Sequence, residues 1–172
     1  MLEAIRKSPS SCTTYENIQG NPLLRKHIAK YAFNWGGSIT ANDVITTQGC
    51  MEALVFCLKA VTKPGDTVAI ESPTYFGIFH VMKSHGLKVL EIPSDPETGI
   101  DLPYLAKAID KIDVKACLFV PNFCNPSGSC MPDNNKKQLV NLLAGKNIPL
   151  IEDDIYGDVF WQEKAKDMQK LR

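Results

Sequence analysis

Several common markers of function are missing from this 172-residue sequence. Neither sign of charge is in excess, with 19 Lys plus Arg against 19 Asp plus Glu. That balance argues against a free-standing nucleic-acid binder, which needs a basic surface to meet phosphates. No apolar run approaches the roughly 20 residues of a membrane span. The start, MLEAIRKSPSS, has no apolar stretch of the secretory kind, so a cytoplasmic location is expected. The six cysteines include no CxxC pair, and His27, His80 and His85 do not stand at ligand spacing from them. A zinc site is therefore not expected. Cys57 and Cys117 lie in the apolar runs LVFCLKA and KACLFV, and the cysteines read as reduced thiols acting as small core hydrophobes. Neither GxGxxG nor GxxxxGK[ST] occurs, which counts against dinucleotide and nucleoside-triphosphate binding. There is no internal repeat and no low-complexity segment.

What is present is an ordinary globular composition, 44% hydrophobic, in which helix-period and strand-like segments alternate. Asn21-Pro22 reads as an N-cap with proline in the first turn, opening a helix whose stripe is Leu24, Ile28, Tyr31 and Ala32. Asp43–Thr47 (DVITT) is expected to be a short strand, broken by Gly49 ahead of a buried helix, MEALVFCLKAV. Lys63-Pro64-Gly65-Asp66 is a turn. TVAIE is a strand, Thr74–Ser84 a helix, and LKVLEI (87–92) a strand. Asp101 is expected to cap a helix running to about Lys111. ACLFV (116–120) has the continuous apolar character of a buried parallel strand. Asp133 is expected to cap a helix that Gly145 ends at its C′ position. IPLIEDD (148–154) is the last clear strand, and the charged tail QEKAKDMQKLR reads as a fraying helix. Strands separated by helices imply a three-layer α/β/α fold with a mostly parallel sheet.

In such sheets ligands bind beyond the carboxyl ends of the strands. Four polar motifs fall there: TTQGCMEAL (46–54), SPTYFG (72–77), PNFCNPSG (121–128) and EDDIY (152–156). In the first, Gly49 permits a tight turn into a helix whose N-terminal N–H groups suit an anion; a plain strand-to-helix turn is the alternative. In the third, Asn125-Pro126 is a plain Asn-Pro turn or part of a site. In the last, carboxylates beside an apolar strand are costly unless paired, or else cap the next element.

Taken together and in this order, these motifs resemble fold-type I enzymes dependent on pyridoxal 5′-phosphate (PLP), the aspartate aminotransferase superfamily. The resemblance runs from Tyr15 to about Phe160, and Asn125 and Asp153 keep the spacing of that family's Asn and Asp pair. TTQGCMEAL, VAIESPTYFG, LKVLEIPSDPETGIDL, KACLFVPNFCNPSGSCMP and IPLIEDDIYGDV look like the aminotransferase-like domain of MocR regulators, a branch of the GntR transcription factors. The resemblance implies PLP as cofactor. Asp153 would face the ring nitrogen, Asn125 and Tyr156 the ring 3′-oxygen, and Tyr75 the ring face. The backbone N–H groups of Cys50 and Met51 would hold the phosphate. Many relatives carry a hydroxyl residue where Cys50 stands, and a thiol is a weak donor, so the backbone is expected to carry that contact. Tyr15 would reach the phosphate of a neighbouring subunit, which implies a homodimer.

The same resemblance implies a domain layout: residues 1–40 as N-terminal segment and leading helix, 41–161 as a partial PLP-binding large domain, and 162–172 as a charged tail. The cofactor-holding lysine of the family sits in a Ser/Thr-rich SxxK-type segment, and none occurs here. Lys164, Lys166 and Lys170 stand too soon after Asp153. The substrate-gripping arginine and the small domain that carries it are also absent. No catalytic residue is therefore assigned, and the chain alone is expected to be inactive, with one sheet edge open to association. Two parents fit. One is a regulator that senses an amino acid or amine and meets DNA through a winged-helix module outside this chain. The other is a metabolic aminotransferase using an amino acid and a 2-oxo acid.

Overall fold

A computed structural model describes residues 2–7, 9, 13–32 and 38–159, and the chain divides into two compact units, Met1–Gln48 and Gly49–Arg172. Cys12 and the tail from 160, with Lys164, Lys166 and Lys170, lie outside the described residues.

The N-terminal unit contains α1 (Leu2–Lys7), α2 (Pro22–Ala32) and a single 3-10 turn, Ala41–Asp43. Asn21 caps α2 as its sequence predicts, its Oδ1 accepting the N–H groups of Leu23 at 3.0 Å and Leu24 at 3.2 Å. The expected stripe on α2 is only partly buried: Ala32 is covered, but Leu24 and Tyr31 are exposed and Arg25 is buried instead. The Arg25 Nη1 donates to Gln19. No strand forms over Asp43–Thr47. Asp43 closes the 3-10 turn through a capping box with Thr40; beyond it Val44 N–H returns to Ala41 O at 3.4 Å and Thr46 N–H reaches Gln19 O at 3.0 Å. β-branched residues favour extension, but without a ladder partner they do not make a strand.

The second unit is a five-stranded sheet with helices on both faces. Its elements are α3 (Cys50–Val61), β1 (Thr67–Ser72), α4 (Phe76–Ser84), β2 (Lys88–Asp95), β3 (Gly99–Ile100), α5 (Leu102–Ile109), β4 (Val114–Phe119), α6 (Asp133–Lys146) and β5 (Leu150–Glu152). The spatial order is β3-β2-β1-β4-β5, parallel except for the antiparallel β2–β3 pair. Alternation along the strands feeds two separate cores. Val68, Ile70, Ala116 and Leu118 pack with Leu54 and Leu58 of α3 and Ile78 and Met82 of α4. Ala69, Cys117 and Phe119 pack on the other face with Leu105 of α5 and Leu139 and Leu143 of α6. This is the three-layer α/β/α arrangement expected from the sequence.

Several boundaries differ from expectation for identifiable reasons. α4 starts at Phe76 because Tyr75 is extended (φ −62, ψ 125) in the cap position. α5 keeps its Asp101 cap, Oδ1 accepting Tyr104 N–H at 2.9 Å, but ends at Ile109. α6 begins with Asp133 itself after Pro132, so Asp133 is not the cap. Gly145 lies inside α6, and Asn147 takes the left-handed position (φ 55) that ends it. Asn tolerates that conformation better than most residues, so glycine is not required. α3 buries only Leu54 and Leu58, leaving Met51, Phe56, Cys57 and Val61 exposed. Cys57 is therefore not a core thiol, whereas Cys117 and Cys124 are.

Candidate functional site

The chain leaves β1 for β2 on one side and later crosses to β4 on the other. A crevice opens beyond the carboxyl ends of strands where the order reverses in this way. Around it stand the segments that follow β1, β4 and β5, together with the N-terminus of α3.

α3 starts from Gly49, whose φ of 107 with ψ of 169 disfavours any L side chain. A Cβ there would meet nothing within 4 Å, so the space before the helix is open. The N–H groups of a first turn have no acceptors within their own helix. The Cys50 thiol turns inward and donates to Asp153 Oδ1 at 3.3 Å, across a separation of 103 residues. Burial, and then the Asp153 charge, push this thiol up to about 11, so it stays protonated and able to donate at neutral pH. The side chain of Cys50 is thus engaged with Asp153, and an anion before α3 is left to the backbone donors.

Asp153 follows β5, its N–H continuing the ladder to Phe119 O at 3.0 Å, and its side chain is partly buried. Tyr156 lies on the turn beyond it and is half-exposed; its carbonyl accepts Val159 N–H at 2.8 Å. Tyr75 caps α4 with its ring against Gly77, where any Cβ would overlap the ring. Its centroid lies 4.7 Å from that of Phe76. Asn125 is exposed on a loop folded tightly by the bonds Gly128 N–H to Cys124 O at 2.6 Å and Cys124 N–H to Ser129 O at 3.0 Å. The neighbouring Cys124 thiol lies 4.0 Å from Pro73 O, so the loops carrying Asn125 and Tyr75 meet. The structure therefore joins Cys50 to Asp153 directly and gathers the Tyr75, Asn125 and Tyr156 loops at strand ends of one sheet. Tyr15 belongs to the other unit and is fully exposed there.

Three polar residues escaped the sequence reading. Glu71, at the end of β1, is 2% exposed. Burial pushes its carboxyl up to about 7, opposed by bonds from the Val120 N–H and Thr74, while the Asp153 charge raises it further. Asn122 and Lys136 are also buried. Lys136 Nζ donates to Asn122 Oδ1 at 2.6 Å, and Asn122 Nδ2 donates to Asp154 Oδ1 at 2.7 Å. Asp154 itself folds over Gly157, where a Cβ would overlap its carboxylate. This chain pins the turn between Asp153 and Tyr156 to α6. A signal existed for two of them: a carboxylate in the apolar run VAIE for Glu71, and a place on the same helix face as Leu139 and Leu143 for Lys136.

Among the described residues no group of three or more His, Cys, Asp or Glu is placed to hold a metal ion. No described helix is long and apolar enough to cross a membrane.

Known proteins resemble this chain in sequence and in fold. YjiR of Escherichia coli, an uncharacterised HTH-type transcriptional regulator, is 41% identical over 145 residues, which covers 84% of this chain and 31% of that protein. Human tyrosine aminotransferase is 31% identical over 141 residues, covering 81% of this chain and 31% of the enzyme. The chain thus spans about a third of the length of the curated relatives it matches. Among solved structures, alanine aminotransferase from Pyrococcus furiosus superposes with a TM-score of 0.86 at 27% identity, over 99% of this chain and 44% of that one. LysN, the α-aminoadipate aminotransferase of Thermus thermophilus, shares the fold with a TM-score of 0.90 at 22% identity, over 99% of this chain and 42% of that one. The sequence model for aminotransferase class I and II matches residues 1–171, and with the sheet order and strand-end motifs in agreement, the chain belongs to that family.

Proposed function

We propose that the chain is the PLP-binding core of an aminotransferase-like domain in a MocR/GntR-type transcriptional regulator. The observation that carries this is the Cys50–Asp153 contact, which brings a carboxylate and the open N-terminus of α3 to one spot. A ligand with a protonated ring nitrogen at one end and a phosphate at the other needs both. When bound, PLP supplies an electron sink for negative charge developing at a substrate Cα. Asp153 would hold the proton on the ring nitrogen. Asn125 and Tyr156 would donate to the 3′-oxygen, Tyr75 would cover one ring face, and the backbone N–H groups of Cys50 and Met51 would hold the phosphate. Tyr15 would reach the phosphate of a second copy, making the whole protein a homodimer. No residue of this chain is assigned catalysis.

The regulator reading draws support from relatives 41% and 37% identical, YjiR and YdcR of Escherichia coli, both HTH-type regulators. In that reading an amino acid or amine is the effector, and DNA contacts belong to a winged-helix module elsewhere in the whole protein. The similarity to human tyrosine aminotransferase favours a second reading, a metabolic aminotransferase.

The test uses the full-length protein, titrated with PLP and followed by absorbance. Wild type should show a saturable spectral change, and Asp153→Ala should weaken binding at least tenfold, or about 1.4 kcal/mol. No spectral change in wild type, or equal affinity in the variant, overturns the cofactor reading. Duplex DNA binding by the full-length protein supports the regulator; transamination without DNA binding supports the enzyme.

A further inference from the structure

The crevice between β1 and β4 is bridged by a side chain. The two strands pair through Ile70 and Leu118 and then part, β1 toward Tyr75 and β4 toward Asn125. Just beyond β4, the Val120 N–H points not to a β1 carbonyl but to the Glu71 carboxylate, at 2.9 Å from Oε2 and 3.2 Å from Oε1. The Thr74 hydroxyl, one residue before Tyr75, donates to the same Oε1 at 3.2 Å. Glu71 is 2% exposed, so neither bond competes with bulk water. One carboxylate thus fastens the start of the Asn125 loop to the Tyr75 loop.

We propose that Glu71 is a positioning residue, whose buried carboxylate holds the Tyr75 and Asn125 loops at the spacing the pyridine ring occupies. This rests on the PLP reading above. The groups that act on Glu71 are the Asp153 carboxylate, the Cys124 thiol, the Thr74 hydroxyl and the Val120 N–H. Burial pushes Glu71 up to about 7, so its negative charge is taken on near neutrality, close enough to feel the Asp153 carboxylate that would face the ring nitrogen. Geometry and charge therefore give separate signatures. Glutamine keeps an acceptor oxygen for Val120 but cannot ionise; alanine removes both.

The experiment compares full-length wild type, Glu71→Gln and Glu71→Ala, measuring PLP affinity and the pH midpoint of the bound cofactor's absorbance. Glu71→Gln should bind within about threefold of wild type and lower the pH midpoint, because a nearby negative charge favouring the protonated cofactor is gone. Glu71→Ala should weaken binding at least fivefold with its circular dichroism unchanged. An unmoved midpoint in Glu71→Gln, a loss of affinity there beyond threefold, or a loss below fivefold in folded Glu71→Ala overturns the proposal. If Glu71→Ala does not fold, the two glutamine measurements decide. Wild type that takes up no PLP overturns the cofactor reading instead.

Discussion

At the residue scale, Glu71 couples the site to stability. Its folded-state pKa is raised to about 7 from an ordinary 4.5, so between these values the native state holds a proton that the unfolded chain has released. Native stability is therefore intact below about pH 4.5 and is lost as pH climbs to about 7, by a total of roughly 3 kcal/mol at most. Glu71→Gln should remove this loss. Urea denaturation of the full-length protein should show the variant gaining on wild type from pH 5 to pH 8, and parallel curves for the two proteins would refute it. Asp153 is legible in the sequence and Glu71 is not, although the cost of an unpaired buried carboxylate applies to both. Both are acids at the ends of apolar strands inside recognisable motifs, but the resemblance implies a role at the cofactor ring for Asp153 and none for Glu71. Cys57 departs from expectation because an apolar run surrounds it, yet helical rotation carries it to the outer face of α3.

Among the elements, α3 carries the proposed phosphate donors. Cys50 is its first residue, where proline is tolerated because that N–H has no helical partner. Cys50→Pro should leave the fold intact and delete one proposed phosphate donor, worth about 1.5–3 kcal/mol for a bond to a charged group. PLP affinity should fall about tenfold or more relative to Cys50→Ala, which loses the same thiol but keeps the N–H. Equal dissociation constants for the two variants would remove the helix N-terminus from the site. Elements with a strong local pattern were legible: β1 and β4 from continuous apolar character, α5 from its Asp101 cap. Those decided by tertiary partners were not. β3 has two residues and exists only against Ser94 and Asp95 of β2. Residues 43–47 carry strand-like side chains but gain no ladder, and α6 runs past Gly145 because Asn147 can take the turn that ends it.

For the whole molecule, the accessible amines set a limit. Every described lysine is exposed except Lys136, and its Nζ is held by Asn122 inside the protein. Borohydride treatment of the 172-residue chain with PLP should give no single stoichiometric lysine adduct by mass spectrometry; one unique adduct would show a retaining lysine that was overlooked. The sheet has a further consequence. It is a wall between two oily chambers, one under α3 and α4, the other under α5 and α6. Only the strands themselves pass from one to the other. Inherited damage under α5, at Leu105, should accordingly show as scarcity: fewer surviving copies, each with its ligand preference unaltered.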